Sequence, residues 1–161
     1  MKVLLTGATG YIGRRLKGRL LSDPKIELRL FVVNRAELSE SSTAQAEVIE
    51  GSTFDTDALA RAVEGVDVAY YLIHSMGAGG DFAELDRKSA ANFIDACRAA
   101  GVGRVIYLGG LGAHETASKH LKSRHETGDI LSAYPDEVRT IWFRAGAIIG
   151  SGSASFEMIH H

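Results

Sequence analysis

The chain lacks most of the features that mark a specialised environment. Of its 161 residues only Cys97 is a cysteine, so no internal disulfide can form and a reducing, cytoplasmic compartment is expected. Two prolines and no repeat exclude collagen-like or Pro-rich linker sequence. Neither charge sign dominates: a formal net charge of -2 argues against a strongly basic nucleic-acid binder. No apolar run approaches the roughly 18 residues of a membrane span. Arg144 interrupts the longest candidate, and Thr6-Gly7 ends the apolar start before a signal-peptide core could form. His114, His120 and His125 have no Cys or carboxylate at metal-ligand spacing, so no metal site is expected. Ser75 and Ser118 belong to no visible nucleophilic triad.

Glycine is what the chain does have, at 18 of 161 residues. With no linker or repeat to absorb them, these glycines mark special backbone positions. Charge is also uneven. Residues 1–35 carry eight Lys/Arg against Asp23 and Glu27, whereas the remainder is acidic. Such a basic first quarter is built near an anion or is a solvated helix face.

Hydrophobic periodicity gives alternating strands and helices. Strands are expected at residues 2–6, 28–34, 46–50, 66–74 and 104–108, with a sixth inside 138–149. Helices are expected at residues 11–21, 57–63, 81–100 and 116–133, with another beginning near Ser155. In the fourth helix the apolar stripe runs Phe82, Leu85, Ser89, Ala90, Phe93, Ile94 and Cys97, and Gly101 stops it. Strands apolar throughout, separated by helices, predict a parallel sheet covered on both faces. Right-handed crossovers then give a doubly wound α/β fold with strand order 3-2-1-4-5-6. Twelve of the 18 glycines fall at the carboxyl ends of its strands, the edge where ligands sit in such sheets.

Between strand one and its helix stands Gly7-Ala8-Thr9-Gly10-Tyr11-Ile12-Gly13. Gly7 allows the tight turn, Gly10 lets the backbone approach a pyrophosphate, and Gly13 lets helix and strand pack closely. The helix N-terminus adds free N–H groups and a positive dipole. A dinucleotide is the implied ligand. An NAD site ordinarily has a carboxylate at the end of strand two for the ribose 2′-hydroxyl. Here that strand ends Val33-Asn34-Arg35, and Arg35 could neutralise a 2′-phosphate, which favours NADP over NAD.

Together these residues resemble a short-chain dehydrogenase/reductase of the extended or atypical kind, over essentially all 161 residues. Residues 7–13 match that superfamily's G-x-x-G-x-x-G, Asn92 its helix-four asparagine, and Arg144-Ala145-Gly146 its Arg-Pro-Gly after strand six. The chain is more closely similar to bacterial NmrA-like NAD(P)-binding proteins, through residues 74–77, 107–112 and 150–157. The resemblance implies a Rossmann domain, residues 1–161, that lacks a C-terminal substrate portion. It also implies a cofactor site of Gly7, Thr9, Gly10, Tyr11, Ile12, Gly13, Asn34, Arg35 and His74.

Departures from the family pattern fall at the reacting end. His120 and Arg124 occupy the positions of the catalytic Tyr-x-x-x-Lys, and Gly109-Gly110 the position of the catalytic serine. His120 could act as acid or base near neutral pH, while Arg124 could bind ribose hydroxyls or phosphate but not lose its proton. Arg124 falls on the stripe Ala117, Leu121, Arg124, Gly128, Leu131, so it is expected to face inward, toward a carboxylate or the cofactor. Gly51-Ser52 replaces the family's Gly-Asp at the adenine. Three functions remain open: an NADP-dependent oxidoreductase or epimerase-like enzyme, a non-catalytic NADP(H) sensor, or a structural nucleotide-binding subunit. The substrate is not specified, and oligomerisation is left open.

Overall fold

The computed structural model describes residues 1–74, 82–112, 117–146, 148 and 150. Six parallel strands, β1 (Lys2–Thr6), β2 (Glu27–Val32), β3 (Glu47–Glu50), β4 (Val68–Tyr71), β5 (Arg104–Gly110) and β6 (Arg139–Ala145), form one sheet. Its order is β3-β2-β1-β4-β5-β6, as expected. The main helices are α1 (Tyr11–Leu21), α2 (Glu40–Gln45), α3 (Thr56–Val63), α4 (Phe82–Ala99) and α5 (Lys119–Leu131). The expected helix near Ser155 lies outside the described residues.

Period-two alternation divides the strand side chains between two cores. Leu4, Phe31, Tyr71, Val105 and Tyr107 point toward α3, α4 and α5, where Phe93 and Ile94 are almost completely buried. Val3, Leu5, Leu30 and Val32 point the other way, beneath Leu16 and Leu20 of α1. Burying each large apolar side chain contributes roughly 1.5–3 kcal/mol against leaving it in water. Cys97 lies within the first core, where burial pushes its thiol up to about 12, so it behaves as a small apolar residue.

Both faces of the sheet carry a packed core, as expected, although Phe143 on β6 is 57% exposed. Two expectations need correction. Strand four ends at Tyr71 rather than at residue 74, which frees Leu72, Ile73 and His74 to line the carboxyl edge. The stripe of α4 is offset as well: Leu85 is 50% exposed, while Asp86 beside it is only 3% exposed.

One basic residue of the first quarter is wholly structural. Arg29 of β2 is buried, and its Nη1 donates to the carbonyls of Arg61, Ala62 and Glu64 at 2.8–2.9 Å. It thereby satisfies the carbonyls at the end of α3, which no helical N–H can reach. Its Nε donates to Glu47 Oε2 at 2.8 Å. The guanidinium holds the Glu47 carboxyl below its ordinary value, chiefly through this hydrogen bond.

Candidate dinucleotide site

β1 runs into a turn whose first residue, Gly7, has φ +68°. A Cβ there would meet the Leu72 carbonyl oxygen at 2.7 Å, so both conformation and space require glycine. The Gly10 N–H donates to the Gly7 carbonyl at 3.1 Å and closes the turn. A Cβ at Gly13 would run into that carbonyl, so this glycine sets how closely α1 approaches the strand. Gly10 is the N-cap of α1; no side chain caps the helix, and its first turn contains no acidic residue. The turn therefore offers uncapped N–H groups and a favourable dipole, which fits a pyrophosphate.

A groove of ≈ 400 Å³ passes over this turn. Gly7, Thr9 and Gly10 form its middle, Val33, Glu37 and Phe54 border one end, and His74 borders the other. Leu72, Ile73 and His74 also line a second recess of ≈ 110 Å³, closed by Ile12, Tyr107 and Arg124. The two concavities share a wall and together cross the β1–β4 switch point, the place for a ligand in this topology. A larger concavity, ≈ 720 Å³ between α3 and α4, lies apart from the glycine turn.

Not every expected residue reaches the groove. Tyr11 is half-buried beneath the Arg15 guanidinium, 3.7 Å above its ring. Asn34 is exposed, and its Oδ1 accepts from the Ala36 N–H at 2.9 Å. Arg35 is exposed; its backbone N–H donates to Glu50 at 2.8 Å, and its guanidinium makes no ion pair among the described residues. Ser118 has a local duty: its Oγ accepts from the Leu121 N–H and caps α5. Ser75 and His114 lie outside the described residues.

Beside the expected His74 the structure supplies a carboxylate that sequence reasoning passed over, Asp86. His74 Nδ1 lies 3.0 Å from Asp86 Oδ2, and the same oxygen accepts from Ser123 Oγ at 2.9 Å. Burial first, and the Arg124 guanidinium next, hold the His74 imidazole below its ordinary value, against the pull of Asp86. Arg124 is half-buried and faces the recess, and no carboxylate among the described residues pairs with it. His120 is exposed, with its ring stacked on Phe82 at 4.6 Å and 6.2 Å from His74. Tyr107 cannot stand in for the absent tyrosine. Its hydroxyl donates to the Arg124 carbonyl at 2.9 Å, and burial pushes it up to about 12. Nor does Gly109 leave room for a serine, since a Cβ there would enter the Trp142 ring and meet Tyr107 at 2.9 Å.

The sequence profile described as NAD(P)H-binding matches residues 7–141, from the first glycine of the turn into β6. The chain belongs to this NAD(P)H-binding family. It is 31% identical over 110 residues to a 2-alkyl-3-oxoalkanoate reductase of Stenotrophomonas maltophilia, covering 66% of this chain and 32% of that protein. It is also 31% identical over 145 residues to an uncharacterized sugar epimerase of Bacillus subtilis, covering 83% of this chain and 66% of that protein. Among solved structures it superposes on an NADPH-dependent quinone oxidoreductase of Escherichia coli complexed with NADPH. That match has a TM-score of 0.73 and 26% identity, covering 88% of this chain and 48% of the oxidoreductase. This NAD(P)H-binding chain is thus a Rossmann domain, spanning from about a third to two thirds of these relatives. Among the described residues no helix is long and apolar enough to cross a membrane.

Proposed function

We propose that this chain is the dinucleotide-binding domain of an NADP-dependent oxidoreductase or epimerase-like enzyme. In this reading the pyrophosphate lies on the glycine turn and the nicotinamide end faces the recess beside His74. The observation that carries it is the continuity of the glycine turn with a recess holding an imidazole and a guanidinium that pairs with no carboxylate among the described residues. Bound there, the nicotinamide would supply or remove a hydride. Gly7, Gly10 and Gly13 admit the pyrophosphate backbone-first, Thr9 and Ile12 border it, and Arg124 orients polar groups at the reacting end. The relatives that reduce carbonyls or quinones, or epimerise sugars, support hydride chemistry of this class.

NADP is the preferred form because Arg35 follows β2 with its guanidinium exposed toward solvent. Glu37, which lines the groove, is the opposing feature, since a carboxylate there would suit an unphosphorylated 2′-hydroxyl. Fluorescence titration with NADPH and NADH tests the choice. Arg35→Ala is expected to weaken NADPH by about five- to tenfold and leave NADH unchanged. Equal affinities in the parent chain would remove the NADP preference, and failure of both to bind would remove the reading itself. A second reading, a sensor that binds NADP(H) without turnover, is favoured by the filled space at Gly109, one of the two glycines, Gly109-Gly110, at the position where the resemblance implies a catalytic serine.

A further inference from the structure

We infer that the proton-transfer group of this site is His74 Nε2, held by Asp86 as a positioning residue. This rests on the dinucleotide reading of the groove. The position equivalent to the family tyrosine belongs to His120, but that side chain is exposed, stacks on Phe82 and lines neither concavity. His74 lines both.

The geometry fixes which nitrogen works. Asp86 is 3% exposed, and a carboxylate so deep in a helix interface needs hydrogen-bond donors. Ser123 Oγ from α5 supplies one at 2.9 Å, and His74 Nδ1 lies 3.0 Å from the same oxygen. With Nδ1–H given to Asp86, the neutral ring carries its lone pair on Nε2. Among the described residues, the charged and titratable groups facing this ring are Asp86 from α4 and Arg124 and His120 from α5. Burial and the cationic Arg124 outweigh Asp86 and keep the resting imidazole neutral, as a base.

A neutral Nε2 suits oxidation. It would take the hydroxyl proton of a secondary alcohol while the carbinol hydrogen leaves as hydride to the oxidised nicotinamide. The products are a ketone, the reduced dinucleotide and an imidazolium, which returns its proton to solvent or, in an epimerisation, to the substrate. Asp86 would stabilise the imidazolium and would not itself take the proton.

The test uses the full chain with 15N-labelled histidine. Long-range 1H–15N spectra, assigned with a His74→Gln chain, are expected to show His74 protonated on Nδ1 and bare on Nε2 at neutral pH. Asp86→Asn should lower the His74 titration midpoint by about one pH unit, because the stabilising charge is gone. A proton on Nε2 in the parent chain, or a midpoint unmoved by Asp86→Asn, overturns the proposal even if a variant folds poorly. NADP+ added to the same samples separates the two claims: no binding overturns the groove reading and this inference together, whereas binding with the wrong tautomer overturns only the inference. With NADP+ and a panel of cyclic and acyclic secondary alcohols, His74→Gln should cut turnover at least about a hundredfold and abolish the pH profile. Loss of that profile in His120→Gln with its retention in His74→Gln would reassign the proton to His120, and a parent chain that binds NADP+ yet oxidises no alcohol would overturn the proton-transfer role of His74.

Discussion

The two halves of the groove are built from different materials. Across β1 and α1 the site is backbone: a left-handed Gly7, an uncapped Gly10 and a Gly13 that touches the preceding turn. Across β4, α4 and α5 it is side chains: His74 after β4, Asp86 from α4, and Ser123 and Arg124 from α5. At Gly7 and Gly13 the backbone half tolerates almost no substitution because its requirement there is an absence of atoms. The side-chain half can exchange its chemistry, as the resemblance implies by setting His120 and Arg124 at the expected Tyr and Lys positions.

The largest expected effect comes from breaking the backbone half. Gly13→Ala places a Cβ against the Gly7 carbonyl, where neither backbone can yield. It should cost about 2–4 kcal/mol in urea unfolding and at least about a hundredfold in NADPH affinity. Wild-type stability and binding in this variant would show that the close approach of α1 is not required.

Restoring the family serine sharpens the contrast from the other side. Gly109→Ser would press its Cβ into the Trp142 ring and Tyr107, so it should destabilise by about 1–3 kcal/mol and yield no gain in turnover. A stable variant with raised turnover would mean that the reacting half still follows the superfamily's ordinary chemistry.

The smallest effect concerns the β2–β3 side of the scaffold. Arg29 holds Glu47 below its ordinary value, so this pair's contribution is present above the unfolded carboxyl value of 4.5 and fades as pH falls through the lower folded value. Glu47 is half exposed in its side chain, which keeps the effect small. Between about pH 6 and about pH 3, the Tm gap between the parent and Glu47→Gln should therefore close. A gap that widens in acid would contradict the assignment.

The contrast also explains what the sequence made legible. The strand order followed from apolar runs separated by helical periodicity, and the glycine turn could be placed because glycines report backbone requirements directly. Asp86 was hidden because a stripe of apolar residues points to Leu85, and only the tertiary partners Ser123 and His74 make the carboxylate the buried neighbour. Arg29 looked like surface charge for the same reason; its partners lie more than 30 residues away at the end of α3. Short α2, Glu-Ser-Ser-Thr-Ala-Gln, has almost no apolar periodicity to reveal it. Arg124 was expected to face inward, and it does so at the edge of the buried face rather than on it: Ser123, Thr127 and Leu131 are the more deeply buried residues.

The central claim is that the glycine turn, and not the larger concavity between α3 and α4, holds the dinucleotide. Amide chemical-shift mapping of the 15N-labelled chain during an NADP+ titration tests it most directly. Saturable shifts are predicted at Gly7, Thr9, Gly10, Gly13, Glu37 and His74, along the ≈ 400 Å³ groove and its neighbouring recess. Shifts gathered instead at Thr56, Asn92 and Ala96, or none that saturate, would contradict the account.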